Sequence, residues 1–349
     1  MTLLKMAPGK NPLVGWQLDP ADISYVGQDL QRPECILAVP DGTLYTADAR
    51  GGVMRISTDG TQALIAQGGA RQFDLSTDAS GSLLSGTLPN GLAFDRQGNF
   101  LISNFGTDRL ERMDMAGHTT VLVDAVDGRP MGKVNFVLRD SRDRLWVTVS
   151  TRINPWSDAI QTNLDDGYIV LIDERGARVV AEGFHFTNEV RLDAKEEWLY
   201  VAETTAKRIS RLRVMPDGSL VDREVFGPSS LGRGLIDGIA FDAYGNLWGT
   251  MFLADRLIAL TPSGDLLELL DAGNNAGTDR FEAEFATGRP VSFEILSGCG
   301  GTIAPWLASI TFGGPDLQTA YLGSLRGSRL PLFRSPVAGL PMAHWNQQL

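Results

Sequence analysis

The chain has 349 residues, 43% hydrophobic and 21% charged, enough apolar material for one large domain or two ordinary ones. Its formal net charge of −11 argues against nucleic acid as a partner, because phosphate contacts need faces rich in Lys and Arg. No stretch approaches the roughly 18 apolar residues of a membrane span, and the two cysteines, Cys35 and Cys299, form neither a disulfide framework nor a C-x-x-C pair.

The first residues, M-T-L-L-K-M-A-P-G-K-N-P, lack an apolar core of signal-peptide length, so the cytoplasm is the expected location. Two buried thiols fit a reducing compartment of that kind.

From Glu34 onward one unit recurs. Glu34 opens E-C-I-L-A-V-P-D-G-T-L-Y-T-A-D, followed by V-M-R-I-S from Val53. Asn90 opens N-G-L-A-F-D-R-Q-G-N-F-L-I-S-N, with R-L-E-R-M-D from Arg109 and a further short strand, V-L-V-D, at Val121. Asn135 opens N-F-V-L-R-D-S-R-D-R-L-W-V-T-V, with Y-I-V-L-I-D from Tyr168. Asn188 opens N-E-V-R-L-D-A-K-E-E-W-L-Y-V-A-E, with R-I-S-R-L-R from Arg208. Asp237 opens D-G-I-A-F-D-A-Y-G-N-L-W-G-T-M, with R-L-I-A-L-T from Arg256. The last copy is worn: S-I-T-F-G-G-P-D-L-Q-T-A-Y-L-G from Ser309, then R-L-P-L-F from Arg329.

Each copy is a short apolar strand, a turn on Gly or Asp such as Asp41-Gly42 or Gly98-Asn99, a β-rich return and an alternating third strand. Helical periodicity is nearly absent. Counted from the residue before each first strand, the units are spaced 56, 45, 53, 49 and 71 apart. Four-stranded repeats of about 40–50 residues are propeller blades, so the expected fold is all-β, one six-bladed β-propeller over 1–349. Residues 1–31 should close the disc or pack on it. The uneven spacings place loop insertions near 151–167 and 271–306, both expected on one face.

In a propeller the first strands line the axis, so the opening residues converge: Glu34, Asn90, Asn135, Asn188, Asp237 and Ala308. Five of the six carry side-chain oxygens. An all-oxygen set suits a hard cation, Ca²⁺ ahead of Mg²⁺. Zn²⁺ is the third candidate, although His118, His185 and His344 are too few and too spread for a His-rich zinc site. Glu34 and Asp237 would balance the charge of the ion; without it, one of them would take up a proton. The competing reading is a polar channel filled by water.

The pattern resembles the SMP-30/gluconolactonase (regucalcin-like) family of calcium-dependent lactonases and is more distantly similar to diisopropyl-fluorophosphatase. The resemblance covers roughly residues 32–326 and rests on R-P-E at 32–34, N-x-V-x-x-D from Asn135, T-N-E-V from Thr187, the Asp237 segment and F-G-G-P-D from Phe312. It implies Glu34, Asn135, Asn188 and Asp237 as metal ligands, with Asn90 beside them. Three positions depart from the family pattern: Phe136 stands where the family often has Asp after that Asn, Lys133 where it has Arg, and Glu189 where T-N-G is expected. These leave the metal in place and bear on the substrate.

The implied chemistry is metal-polarised attack of water on a lactone or related ester, with Asp237 as general base and Glu34 as ligand only. Lys133, Trp156, His185 and Phe252 are the further candidates for substrate contact. Phe184 and Trp306 could share an apolar wall, or serve as blade packing. There is no G-x-S-x-G elbow, the G-C-G-G from Gly298 reads as a turn, and the segment 128–133 is one residue short of a P-loop. Two alternatives stand beside the lactonase: phosphotriester hydrolysis at the same metal, in which Asp237 would be the nucleophile, and a binding propeller with calcium as a structural pin.

Overall fold

A computed structural model describes residues 9–68 and 87–347. Six four-stranded antiparallel sheets stand in a ring as the blades of a β-propeller. The first blade is Ile36–Ala38, Leu44–Asp48, Gly52–Ile56 and Gln62–Ala66, in that spatial order. The next four open with Pro89–Phe94, Val134–Arg139, Thr187–Leu192 and Leu235–Phe241 and repeat the order. The innermost strands touch around the ring, and Ile36–Ala38 meets both Pro89–Phe94 and Leu307–Gly313, which closes it. The sixth sheet takes three strands from the C-terminal end, Leu307–Gly313, Thr319–Ser324 and Leu330–Arg334. Its outermost strand is Ser24–Val26, with Tyr25 opposite Pro331. The N-terminal segment therefore supplies the fourth strand that the worn last copy lacks.

The repeat owes its visibility to one turn. In N-G-L-A-F-D-R-Q-G-N the Asp accepts hydrogen bonds from the turn that follows it: Asp95 Oδ1 from the amides of Gln97 and Asn99, both at 2.9 Å. In the third blade Asp140 accepts from the amides of Arg142 at 2.9 Å and Arg144 at 2.8 Å, and from the Trp146 indole at 3.1 Å. In the fifth, Asp242 accepts from the amides of Tyr244, Gly245 and Asn246 and from the Trp248 indole at 2.9 Å. A short acceptor that fits a tight turn and also anchors a core tryptophan explains the D-x-x-x-N/R-x-W spacing. Replacing Asp140 by alanine leaves these donors without their acceptor. The expected loss is about 1–3 kcal/mol, read as a lower denaturation midpoint at unchanged slope.

Gly91 and Gly238 each follow an opening residue for a steric reason. A Cβ at Gly91 would lie 2.6 Å from the Phe136 Cα, and at Gly238 2.4 Å from the Ala308 carbonyl oxygen. The adjacent inner strand is too close for any side chain.

The inner strands are buried throughout, while outer strands such as Thr119–Val123 face solvent. Cys35 and Cys299 are free and buried, as expected of them. The insertion at 271–306 differs from its expectation as a loop: it holds a helix, Asn275–Phe285, and a single turn, Phe293–Ser297. Asn274 caps the first by accepting from the Gly277 amide, and Phe281 and Phe285, one turn apart, bury the inner face. The other insertion carries a short 3₁₀ turn, Trp156–Ala159. Among the described residues no helix is long and apolar enough to cross a membrane.

Candidate functional site at the channel mouth

Five of the six opening residues lie inside their strands, as the second or third residue where the sequence pattern places them just before the first, and each of the five sits in a break of the ladder; Glu34 stands two residues ahead of Ile36–Ala38. Strand register shifts between Pro89 and Leu92, Val134 and Phe136, Thr187 and Val190, Ile236 and Ile239, and Leu307 and Ser309. These intervals contain Asn90, Asn135, Asn188, Asp237 and Ala308. An extra residue at a bulge is freed from pairing and its side chain can be re-aimed. Here the side chains turn toward the axis.

Glu34, Asn90, Asn135 and Asp237 line one cavity, together with Arg32 and Thr204. Asn188 adjoins it, its side chain bonded to Asp237 and donating to Thr204 Oγ1 at 3.1 Å. Arg32 is the organiser of this floor. Its guanidinium donates to the Pro89 carbonyl at 3.1 Å and to Asn90 Oδ1 at 2.6 Å, and faces Glu34 Oε2 at 2.8 Å. Asn90 in turn donates to the Asn135 carbonyl at 3.0 Å.

Burial dominates the electrostatics. It raises the Glu34 carboxyl above the ordinary range despite the opposing charge of Arg32. It raises Asp237 further, and the neighbouring charges of Glu34 and Glu189 add to the effect. Glu189 lies one position below Asn188, paired with Arg191 at 2.7 Å, and burial pushes it to about 7. Three carboxyls near one axis with one guanidinium among the upper two leave a deficit of positive charge.

The donor set fits a divalent cation. Asn135 Oδ1 and Asn188 Oδ1 are buried acceptors that make no hydrogen bond, and Glu34 Oε2 beside them faces the Arg32 guanidinium; unsatisfied buried acceptors are rare without a reason. All three are oxygens, as Ca²⁺ or Mg²⁺ requires. Among the described residues no group of three His, Cys, Asp or Glu is arranged to hold a metal ion, so the amide oxygens are essential to this set.

The roof is apolar. Trp156 and Phe252 line the cavity as the sequence suggests, joined by Phe105, Ile160, Phe186 and Leu325. Phe184 belongs instead to the blade core, and Trp306 stands behind Phe252 with ring centroids 5.2 Å apart. Lys133 does not line the cavity; it is buried, paired with Asp108 at 3.0 Å and set over the Phe105 ring. His185 does not line it either. Its backbone amide donates to Glu203 Oε2 at 3.2 Å. Arg32 and Phe186 hold φ of 53° and 55°, the left-handed region that bulky residues rarely occupy.

The two insertions meet above the cavity. The Val291 amide donates to the Ile160 carbonyl at 3.1 Å, and Asn163 Nδ2 to the Gly288 carbonyl at 3.2 Å. Asp255 pins the longer insertion to the fifth blade by accepting from the amides of Gly301 and Leu307. At the opposite end of the channel a larger cavity of about 540 Å³ lies beneath the C-terminal segment. It contains none of the uncommitted acceptors, and its Arg139 and Arg191 are paired with Asp143 and Glu189.

Against known proteins, a family model described as "SMP-30/Gluconolactonase/LRE-like region" matches residues 32–278. A 6-deoxy-6-sulfogluconolactonase from Pseudomonas putida is 25% identical over 186 residues, 51% of this chain. That match spans about half of the relative's own length, 54%. Of solved structures, a gluconolactonase from Xanthomonas campestris aligns with a TM-score of 0.62 at 19% identity, over 89% of this chain and 88% of that one. A calcium-binding regucalcin from Agrobacterium tumefaciens aligns at 0.60 and 14% identity, over 93% and 98%. At such identities the structural likeness is one of fold.

Proposed function

Since the chain belongs to the SMP-30/gluconolactonase/LRE-like family, we propose that it is a metal-dependent hydrolase that opens a lactone or related ester. The observation carrying this reading is the pair of uncommitted buried amide oxygens, Asn135 Oδ1 and Asn188 Oδ1, beside the buried carboxyls of Glu34 and Asp237. The partial match to a sulfogluconolactonase supports lactone chemistry independently. A divalent cation held by these four residues, Ca²⁺ on the chemistry of the donors, supplies a Lewis acid for the substrate carbonyl.

The chain's own groups supply the rest. Asp237 is the base that takes a proton from the attacking water, its carboxyl kept ionised by the cation when that is bound. Glu34 stays a ligand, held by Arg32. Asn90 fixes that guanidinium, and the apolar roof keeps bulk water from the reacting centre. The direct test is proton release from a lactone panel by the chelated and the Ca²⁺-restored protein, with a phosphotriester included. Chelation should abolish turnover and Ca²⁺ restore it. A folded, calcium-loaded chain inert toward every lactone and ester would turn the assignment to a binding propeller.

The cation should also be visible without any substrate. Glu34 and Asp237 have folded-state affinities for protons raised above their unfolded values. In the ion-free protein they bind protons that the unfolded chain has released, so stability falls as pH rises above the ordinary carboxylate range. Bound cation holds both groups ionised and removes that penalty. Added Ca²⁺ is therefore expected to raise Tm more at pH 8 than at pH 5, with protons released on binding at the lower pH. Equal Tm shifts at both pH values would count against Glu34 and Asp237 as ligands.

A further inference from the structure

The cavity is two-faced. Its floor is polar and, apart from the unpartnered Nε–H of Arg32, its donors are committed: Thr204 Oγ1 donates to the Ile236 carbonyl at 2.7 Å and accepts from Asn188, and Asn90 is bonded through both ends of its amide. The acceptors left over are those assigned to the cation. Among the described residues the wall facing that floor is Phe105, Trp156, Ile160, Phe186, Phe252 and Leu325, with no hydroxyl, carboxylate or ammonium group among them. Lys133 is withdrawn into its pair with Asp108 behind Phe105. Phe136 is packed in the core with the Arg191 guanidinium 4.5 Å from its ring centroid, and offers nothing polar to the cavity.

A polyhydroxylated lactone needs a partner for each hydroxyl that leaves water, and one buried without a partner weakens binding by about tenfold or more. An alkyl or aryl group gains from the same wall, by about fourfold in affinity per buried methylene.

Resting on the hydrolase reading above, we propose that the substrate is a lactone or ester whose carbonyl carries an apolar alkyl or aryl substituent, and that sugar lactones are poor substrates. The free space in this half-open cavity is about 30 Å³, room for about one water. Such a substrate therefore enters when the seam between the two insertions, at Ile160–Val291 and Asn163–Gly288, parts. The reaction is plain hydrolysis: water adds to the carbonyl carbon, the acyl–oxygen bond breaks, and the proton passes through Asp237 to the departing alkoxide.

The test uses the full calcium-loaded chain with γ-butyrolactone, γ-nonalactone, γ-undecalactone, dihydrocoumarin and D-glucono-δ-lactone. Expected is a kcat/KM that climbs with alkyl length, by up to about fourfold per methylene over the first few, with gluconolactone at least tenfold below γ-nonalactone. Leu325→Asn should flatten that slope, as should Leu325→Ala, which serves if the first variant fails to fold. Gluconolactone turned over as well as or better than the alkyl lactones would overturn the proposal and leave the hydrolase reading standing. If no member of the panel is turned over, the hydrolase reading falls, and calorimetry with an alkyl-substituted lactam against a polyhydroxylated one decides the rest. Tighter binding of the alkyl lactam upholds the apolar site, and tighter binding of the hydroxylated one sinks it.

Discussion

Asp237→Asn is expected to lower kcat/KM by about a thousandfold or more while leaving the propeller folded. General-base and electrostatic contributions of this type are each worth on the order of 10²–10³ in rate. The substitution keeps the shape of the side chain and removes its charge and its basicity together. It also removes a buried carboxyl that repels Glu34 and Glu189. The ion-free variant should therefore melt at or above the temperature of the ion-free parent at neutral pH. Its gain in Tm on adding Ca²⁺ should shrink or vanish. Turnover within tenfold of the parent would remove Asp237 from both roles, as base and as ligand. Lost turnover with the full calcium response retained would leave it as base alone.

The largest effect on stability is expected at the other end of the fifth blade. Trp248 is fully buried, donates its indole N–H to Asp242, and packs against Trp16, Phe312 and Phe333 with centroids 5.9, 5.5 and 6.2 Å away. Those rings come from the N-terminal segment and the sixth blade, so one side chain holds three parts of the chain together. Trp248→Ala should cost about 3–5 kcal/mol in denaturant unfolding, from lost burial and the cavity left behind. Val121→Ala, on an exposed outer strand, should change stability by less than about 0.5 kcal/mol. A loss below about 1 kcal/mol at Trp248 would show that the junction repacks around the gap.

Six-fold order was legible because it is carried by a local device, the Asp-centred turn with its returning tryptophan or asparagine, repeated at regular intervals. The converging oxygens were legible for the same reason: fixed phase relative to that turn puts them at one end of the axis. The bulges that aim them were not, since a ladder break depends on which residues face each other across two strands. Arg32 was read as part of a motif and not as a member of the site, because a charged residue is ordinarily found at the surface and nothing in its neighbours reveals a left-handed backbone. The helix Asn275–Phe285 was hidden by a start rich in Asn, Gly and Thr. Its signals, a capping Asn274 and phenylalanines four apart at 281 and 285, were present in the sequence. Lys133 and His185 sit near the right place in the chain, yet one is neutralised by Asp108 and the other does not line the cavity.

The sixth sheet is completed by Ser24–Val26, while its other strands end at Arg334. During synthesis the first of these segments leaves the ribosome long before its partner exists, at elongation rates of about 5–20 residues per second. For most of that interval the nascent chain carries an open disc with two unsatisfied rims, the kind of edge that recruits other chains. The last blade thus acts as a clasp whose closing waits until Arg334 has been translated, and trimming either half of the clasp should show up first as poor yield of soluble protein.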